Sequence, residues 1–178
     1  MARLLDSLGQ SVEIVLDGYQ FPHPGEEWDA NWLNVTVRVT CGNRYWERTD
    51  PALLTWEACS LVGWLKDLIE LQDGMEREIG FIEPCLAFAL RGDGETLQLA
   101  VLLALEFSEN RSLPDQEDEI IFPVKGLDLK TFAKALEADL WRFPIRVMEK
   151  DGAAARHQKR QVAAFLHHLS RRKPNTVR

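Results

Sequence analysis

NWLNVTVRVTCGNRYWERTDPALLTWEACSLVGWLKDLIEL, residues 31–71, contains both periodicities by which a chain buries one face. Leu33, Val35, Val37 and Val39 alternate with Asn34, Thr36 and Arg38, the period-two pattern of a half-buried strand over 31–40. Cys41-Gly42-Asn43 reads as a hairpin turn that pairs this strand antiparallel with 44–48. Beyond it the period lengthens. Leu54, Cys59, Leu61, Leu65, Leu68 and Ile69 form one helical stripe that runs to Leu71, before Asp73-Gly74 breaks it. Asp50 can cap orphan amides and Pro51 loses no hydrogen bond in a first helical turn, so the helix is predicted to start there. Strand, hairpin and long amphipathic helix in succession define an α+β chain.

Working outward, Val12, Ile14 and Leu16 alternate with Glu13 and Asp17 in a further strand that Asp17-Gly18 ends. FPHPGEEWDA, residues 21–30, carries two prolines and a glycine among acids and reads as an exposed loop. Downstream, 78–83, 85–91 and 95–107 read as strands, with Gly92-Asp93-Gly94 turning the last two and Pro84 marking a bend or strand start. An acidic loop over 108–119 leads to an edge strand at 120–124. Leu129, Phe132, Ala133, Leu136 and Leu140 describe a second helix, ended by Phe143-Pro144. Val162, Phe165, Leu166 and Leu169 give 153–172 the stripe of a third.

These elements predict a single antiparallel β-sheet of about five to seven strands packed against a long central helix and one or two C-terminal helices. No internal repeat of 20 to 50 residues occurs. The expected organisation is therefore one α+β domain over 1–150, followed by a basic helix or tail over 151–178.

Composition narrows the function. A hydrophobic content of 46% in 178 residues supplies one sizeable core. The net charge is −7, yet Arg142, Arg146, Lys150, Arg156, Lys159, Arg160, Arg171, Arg172, Lys173 and Arg178 crowd the end, so the body is more acidic than the total. An acidic body repels phosphate backbones and favours basic partners, which disfavours nucleic acid as a ligand. Cys41, Cys59 and Cys85 form no C-x-x-C pair and read as reduced, mostly buried thiols. MARLLDSLGQ lacks the apolar core of a secretory signal, and no run reaches the roughly 20 apolar residues of a bilayer span. The expectation is a cytoplasmic protein that engages no membrane.

No phosphate loop, nucleophile elbow, H-E-x-x-H helix or calcium loop occurs, and no cofactor or metal is implied. Gly92-Asp93-Gly94 is too short to cradle phosphate. Glu57, Glu83 and Glu106 lie in apolar surroundings; a carboxylate-dependent hydrolase would need them to converge, whereas the plainer reading gives them caps and ion pairs. His157, His167 and His168 lie on the third helix, with 157 and 168 about three turns apart, too far to ligate one ion. The basic residues around them offer a second alternative, a nucleic-acid-binding module, against the plainer reading of a solvated face. Two acidic loops are suited to anchoring a basic protein surface. They nominate Glu26, Glu27, Trp28, Asp29, Asp115, Glu117, Asp118 and Glu119 as the partner-binding set.

Four sequence words, Tyr19-Gln20-Phe21-Pro22, Trp28-Asp29-Ala30-Asn31-Trp32-Leu33, Asp50-Pro51-Ala52-Leu53-Leu54-Thr55-Trp56-Glu57 and Phe81-Ile82-Glu83-Pro84-Cys85-Leu86-Ala87-Phe88, together resemble the WapI family of bacterial immunity proteins. The resemblance spans about 14–146 and ends on Phe143-Pro144-Ile145-Arg146. It implies a protein that binds and neutralises the C-terminal domain of a contact-dependent polymorphic toxin, the founding example being a tRNA-cleaving nuclease. It identifies neither the toxin nor an oligomeric state. The words themselves read mostly as determinants of the fold.

Overall fold

The computed structural model describes residues 1–23, 28–71, 76–92, 97–110, 116–124, 127–148, 156, 159 and 160. The order is β1 (Ala2–Leu5), β2 (Ser11–Tyr19), β3 (Trp32–Cys41), β4 (Arg44–Leu54), α1 (Thr55–Leu71), β5 (Arg77–Gly80), β6 (Leu86–Arg91), β7 (Gln98–Ala104), β8 (Glu117–Pro123) and α2 (Leu129–Leu140). The class is α+β, but the strands form two antiparallel four-stranded sheets, β1-β2-β3-β4 and β5-β6-β7-β8, instead of the single sheet expected. Each sheet is a meander in which neighbours in sequence pair. The 17-residue α1, about 26 Å long, separates them in sequence, and no strand of one sheet pairs with a strand of the other.

The period-two patterns choose the inward faces. Val12, Ile14, Leu16, Val35, Val37 and Val39 from the first sheet share one core with Phe88, Leu99, Val101, Leu103 and Phe122 from the second, and with Leu61, Leu65, Phe132 and Leu136 from the helices. Each of the large side chains here is worth about 1.5–3 kcal/mol of burial. Lys66 of α1 meets Glu137 of α2 at 2.9 Å within the helix interface. A seam joins the sheets: Trp46 Nε1 donates to the Phe107 carbonyl at 3.0 Å, and Arg48 donates to the Glu109 carbonyl at 3.0 Å.

Several boundaries differ from expectation, each for a local reason. β1 was not foreseen; its four residues are too few to show a period, and an Asp6 side chain that accepts from Leu8 and Gln10 amides closes its turn. Gly42, at φ +59°, supplies the left-handed geometry of the two-residue β3–β4 turn. Asp50-Pro51 does not start α1. Both belong to β4, which continues to Leu54, and the register slips by one residue where Asn34 pairs with Pro51 and Leu33 with Leu53. β4 is an edge strand with a bulge here, the setting in which a ladder tolerates proline.

The expected strand over 78–83 becomes Arg77–Gly80, and that over 85–91 starts at Leu86, past Pro84. The strand expected over 95–107 stops at Ala104 because Leu105 turns to φ +48°, opening a short 3-10 turn, Leu105–Phe107. β8 starts earlier than the expected 120–124. α2 matches its expected span, with Asp128 accepting the Thr131 amide at 2.9 Å as its cap. All three cysteines are free thiols. Among the described residues no helix is long and apolar enough to cross a membrane. The expected third helix, 153–172, lies outside the described residues except for Arg156, Lys159 and Arg160, which are helical and exposed.

Candidate functional site: an acidic cleft

The four words that carry the family resemblance are far apart in sequence and meet in space. Gln20 and Phe21 from the first, Asp29 and Trp32 from the second, Asp50 and Pro51 from the third, and Glu83 and Cys85 from the fourth line one open cleft of about 450 Å³. Leu105 and Glu106 complete it from the 3-10 turn after β7. Four carboxylates, Asp29, Asp50, Glu83 and Glu106, thus share a hollow with two aromatic rings.

The scaffold that holds these side chains is built from the same words. Arg146, in the word that ends the resemblance, donates to the Phe21 carbonyl at 2.6 Å and the Pro22 carbonyl at 3.1 Å, and its guanidinium stacks 3.3 Å from the Tyr19 ring centroid. Tyr19 donates to the Pro144 carbonyl and meets Phe143 edge to face at 5.5 Å. Asn31 accepts the Arg146 amide at 2.8 Å and donates to the Val147 carbonyl at 2.8 Å, so 143–147 straps both loops at the cleft wall. Asp29 accepts from Trp32 Nε1 at 3.3 Å, which orients both groups in the lining.

Glu57 does not line the cleft. It is buried at the third position of α1, accepting the Leu54 amide at 2.9 Å, half of a capping box, and the Ile82 amide at 2.8 Å. It therefore ties the third word to the fourth. Burial raises its pKa above the ordinary carboxylate value, the two amides pull it back, and the charge of Glu83 adds to the rise. Glu83 and Glu106 do share the cleft, but Glu57, the third carboxylate expected to converge, is committed to backbone amides.

Cys85 reports the field. Its thiol is pushed up to about 12, first by burial and then by the negative charges of Glu83, Asp50 and Glu106. A thiol so disposed is a poor nucleophile. Among the described residues no three His, Cys, Asp or Glu side chains are grouped to hold a metal ion. Leu105 adds a second sign of a shaped site: a non-glycine residue in left-handed backbone costs on the order of 1 kcal/mol, and here it turns the chain out of β7 to place Glu106 at the cleft.

The partner-binding set nominated from the sequence divides. Asp29 lines the cleft, and Trp28 opens the short 3-10 turn, Trp28–Asn31, that presents it. Glu26, Glu27 and Asp115 lie outside the described residues. Glu117 is exposed and pairs in register with Ala104, the residue before Leu105 and Glu106. Glu119 is exposed and ion-paired with Arg91. Asp118 is buried, where it accepts from Ser108 Oγ at 2.8 Å and the Glu109 amide at 2.7 Å and so anchors the segment after the turn. Asp50, Glu83 and Glu106 were not in that set, and only their convergence distinguishes them.

Fold and cleft define a class: a small two-sheet α+β protein with carboxylates from distant segments gathered in one open hollow. Residues 3–144 match the model of the Immunity protein WapI-like family, and the chain belongs to that family. No curated protein and no solved structure matches the chain.

Proposed function

We propose that this immunity-family protein binds the C-terminal toxin domain of a cognate polymorphic toxin in the cytoplasm and neutralises it by occlusion, without cofactor or catalysis. The observation that carries the reading is the acidic cleft, because the words that carry the family resemblance supply most of its lining. A toxin that cleaves RNA or tRNA must present a basic surface to hold phosphates, and a carboxylate-lined hollow is its electrostatic complement. Asp29, Asp50, Glu83 and Glu106 would take its basic side chains while Phe21 and Trp32 pack on their stems. Glu26, Glu27, Trp28, Asp115, Glu117 and Glu119 are proposed as further partner contacts, with Asp118 anchoring the segment after the 3-10 turn.

The test is co-purification of the tagged protein with the toxin domain encoded beside it, together with rescue of growth in cells making that domain. A stoichiometric complex and rescue are expected. The triple charge reversal Asp29→Lys, Glu83→Lys, Glu106→Lys should raise Kd roughly a hundredfold and flatten its dependence on salt. Unchanged affinity and salt dependence in that variant would remove the cleft from the interface, and a folded protein that neither binds nor rescues would remove the toxin assignment.

A further inference from the structure

The wall of the cleft that carries Phe21, Asp29 and Trp32 is held from behind by 143–147, a segment 115 to 125 residues further along the chain. Two side chains make the connection. Asn31 is fully buried, at 0% exposure. Its Oδ1 accepts the Arg146 amide at 2.8 Å and the Thr55 hydroxyl at 3.1 Å, while its Nδ2 donates to the Val147 carbonyl at 2.8 Å. A short carboxamide offers an acceptor and a donor together, so it pairs with the strap's backbone as a neighbouring strand would, whereas an ionised Asp has no donor for the Val147 carbonyl. Thr55 is the first residue of α1, so the same side chain also ties the wall to that helix. Arg146 is a cation beside an acidic hollow, yet its terminal nitrogens reach the consecutive carbonyls of Phe21 and Pro22 at 2.6 and 3.1 Å, and its centre lies 3.3 Å from the Tyr19 ring centroid. These partners are carbonyls and a ring, not carboxylates. A planar fork serves two acceptors and a ring face at once, which a single ammonium cannot.

We propose that Asn31 and Arg146 are positioning residues, which order the wall bearing Phe21, Asp29 and Trp32 before a partner arrives. This role rests on the reading of the cleft as the toxin-binding site. Ordering a loop and its side chains during association costs affinity, and a wall already fixed avoids that loss. Once the wall is loosened, only the fraction of molecules with Phe21, Asp29 and Trp32 in place can bind, and Kd rises in inverse proportion to that fraction. Asn31, fully buried, acts without touching the partner. Arg146 acts against its own charge, because a cation beside the hollow weakens the pull on a basic surface. Its contribution is therefore geometric: the guanidinium sets the two carbonyls that place the Phe21 ring.

The test uses the full chain with Arg146→Lys, which keeps the charge and removes the fork, and Arg146→Gln, which removes both. Gln20 donates its amide to the Trp32 carbonyl at 2.8 Å, so its hydrogen exchange, resolved by NMR in the free protein, reports on the wall. That exchange should quicken about tenfold or more in Arg146→Lys, while the Val35 and Val37 amides exchange as in the wild type. The same variant should bind the toxin domain encoded beside the protein about tenfold more weakly. Arg146→Gln should weaken binding too, against the tightening that loss of a positive charge alone would give. Urea unfolding confirms that each variant is folded under the binding conditions, where a merely structural role leaves Kd unchanged. Unchanged Gln20 exchange would overturn the positioning role, as would faster exchange with Kd unaltered or tighter binding by Arg146→Gln. Asn31→Asp should quicken Gln20 exchange as well; should it fail to fold, the Arg146 variants decide. A wild type that leaves the toxin domain unbound would remove the toxin reading instead, and Gln20 exchange would still decide whether the strap orders the wall.

Discussion

Both sheets are four-stranded meanders that turn one apolar face onto a shared core, yet the first finishes its other face with Arg3, Glu13, Arg38 and Glu47 and the second with Ala87, Ala89, Ala100 and Leu102. Identical topology therefore does not set identical environments. Alternating charges directly opposite one another suit water: each exposed pair adds little stability, and the row keeps the face solvated. Small apolar side chains let another backbone approach closely and gain only if one does. The first face ends in ion pairs, and the second in small, buried apolar side chains.

Truncation of a side chain on each face tests that difference most directly. Leu102→Ala should cost about 2–3 kcal/mol in urea unfolding, because a buried side chain leaves a cavity. Arg38→Ala, which removes the centre of the charged row, should cost less than about 1 kcal/mol. Equal costs would erase the distinction between the faces. Next in size is the seam that holds the two sheets together. Trp46→Phe keeps most of the buried ring but leaves the Phe107 carbonyl without its indole donor, and should destabilise the fold by about 1–2 kcal/mol. A neutral result would mean that the sheets are held by the core alone.

The smallest effect is one of pH, and it falls where α1 leaves the first sheet. Burial raises the folded pKa of Glu57 above its ordinary value of 4.5. A raised carboxyl contributes stability that is complete below the unfolded pKa and is lost as pH climbs through the folded one. The stability of the wild type relative to Glu57→Gln should therefore fall as pH rises above 4.5. A difference between the two proteins that stays flat with pH would show that Glu57 keeps an ordinary pKa despite its burial.

The legible parts of the fold are those governed by near neighbours. α2 was readable because its stripe from Leu129 to Leu140 and its stop at Phe143-Pro144 act within a turn or two, and the structure adds the Asp128 cap. The Gly42 turn was equally plain. Asp50-Pro51 was not, since the same dipeptide serves a helix start or a bulged edge strand, and pairing with Asn34 decided between them. Asp118 looked like one acid among several in a loop. Beginning the strand at Glu117 would have exposed its inward position, in step with Ile120 and Phe122.

By itself, then, the sequence determined the class of structure, most of the strands and helices, and, through its recurring words, the family. Side-chain period, turn chemistry and capping depend on residues a few positions apart. The tertiary structure alone decided that eight strands divide into two sheets, that Leu105 leaves the strand, and that Asp29, Asp50, Glu83 and Glu106 stand around one hollow. Those outcomes follow from pairings between residues distant along the chain, whose charges and burial acquire meaning only when folding brings them within a few ångströms of each other.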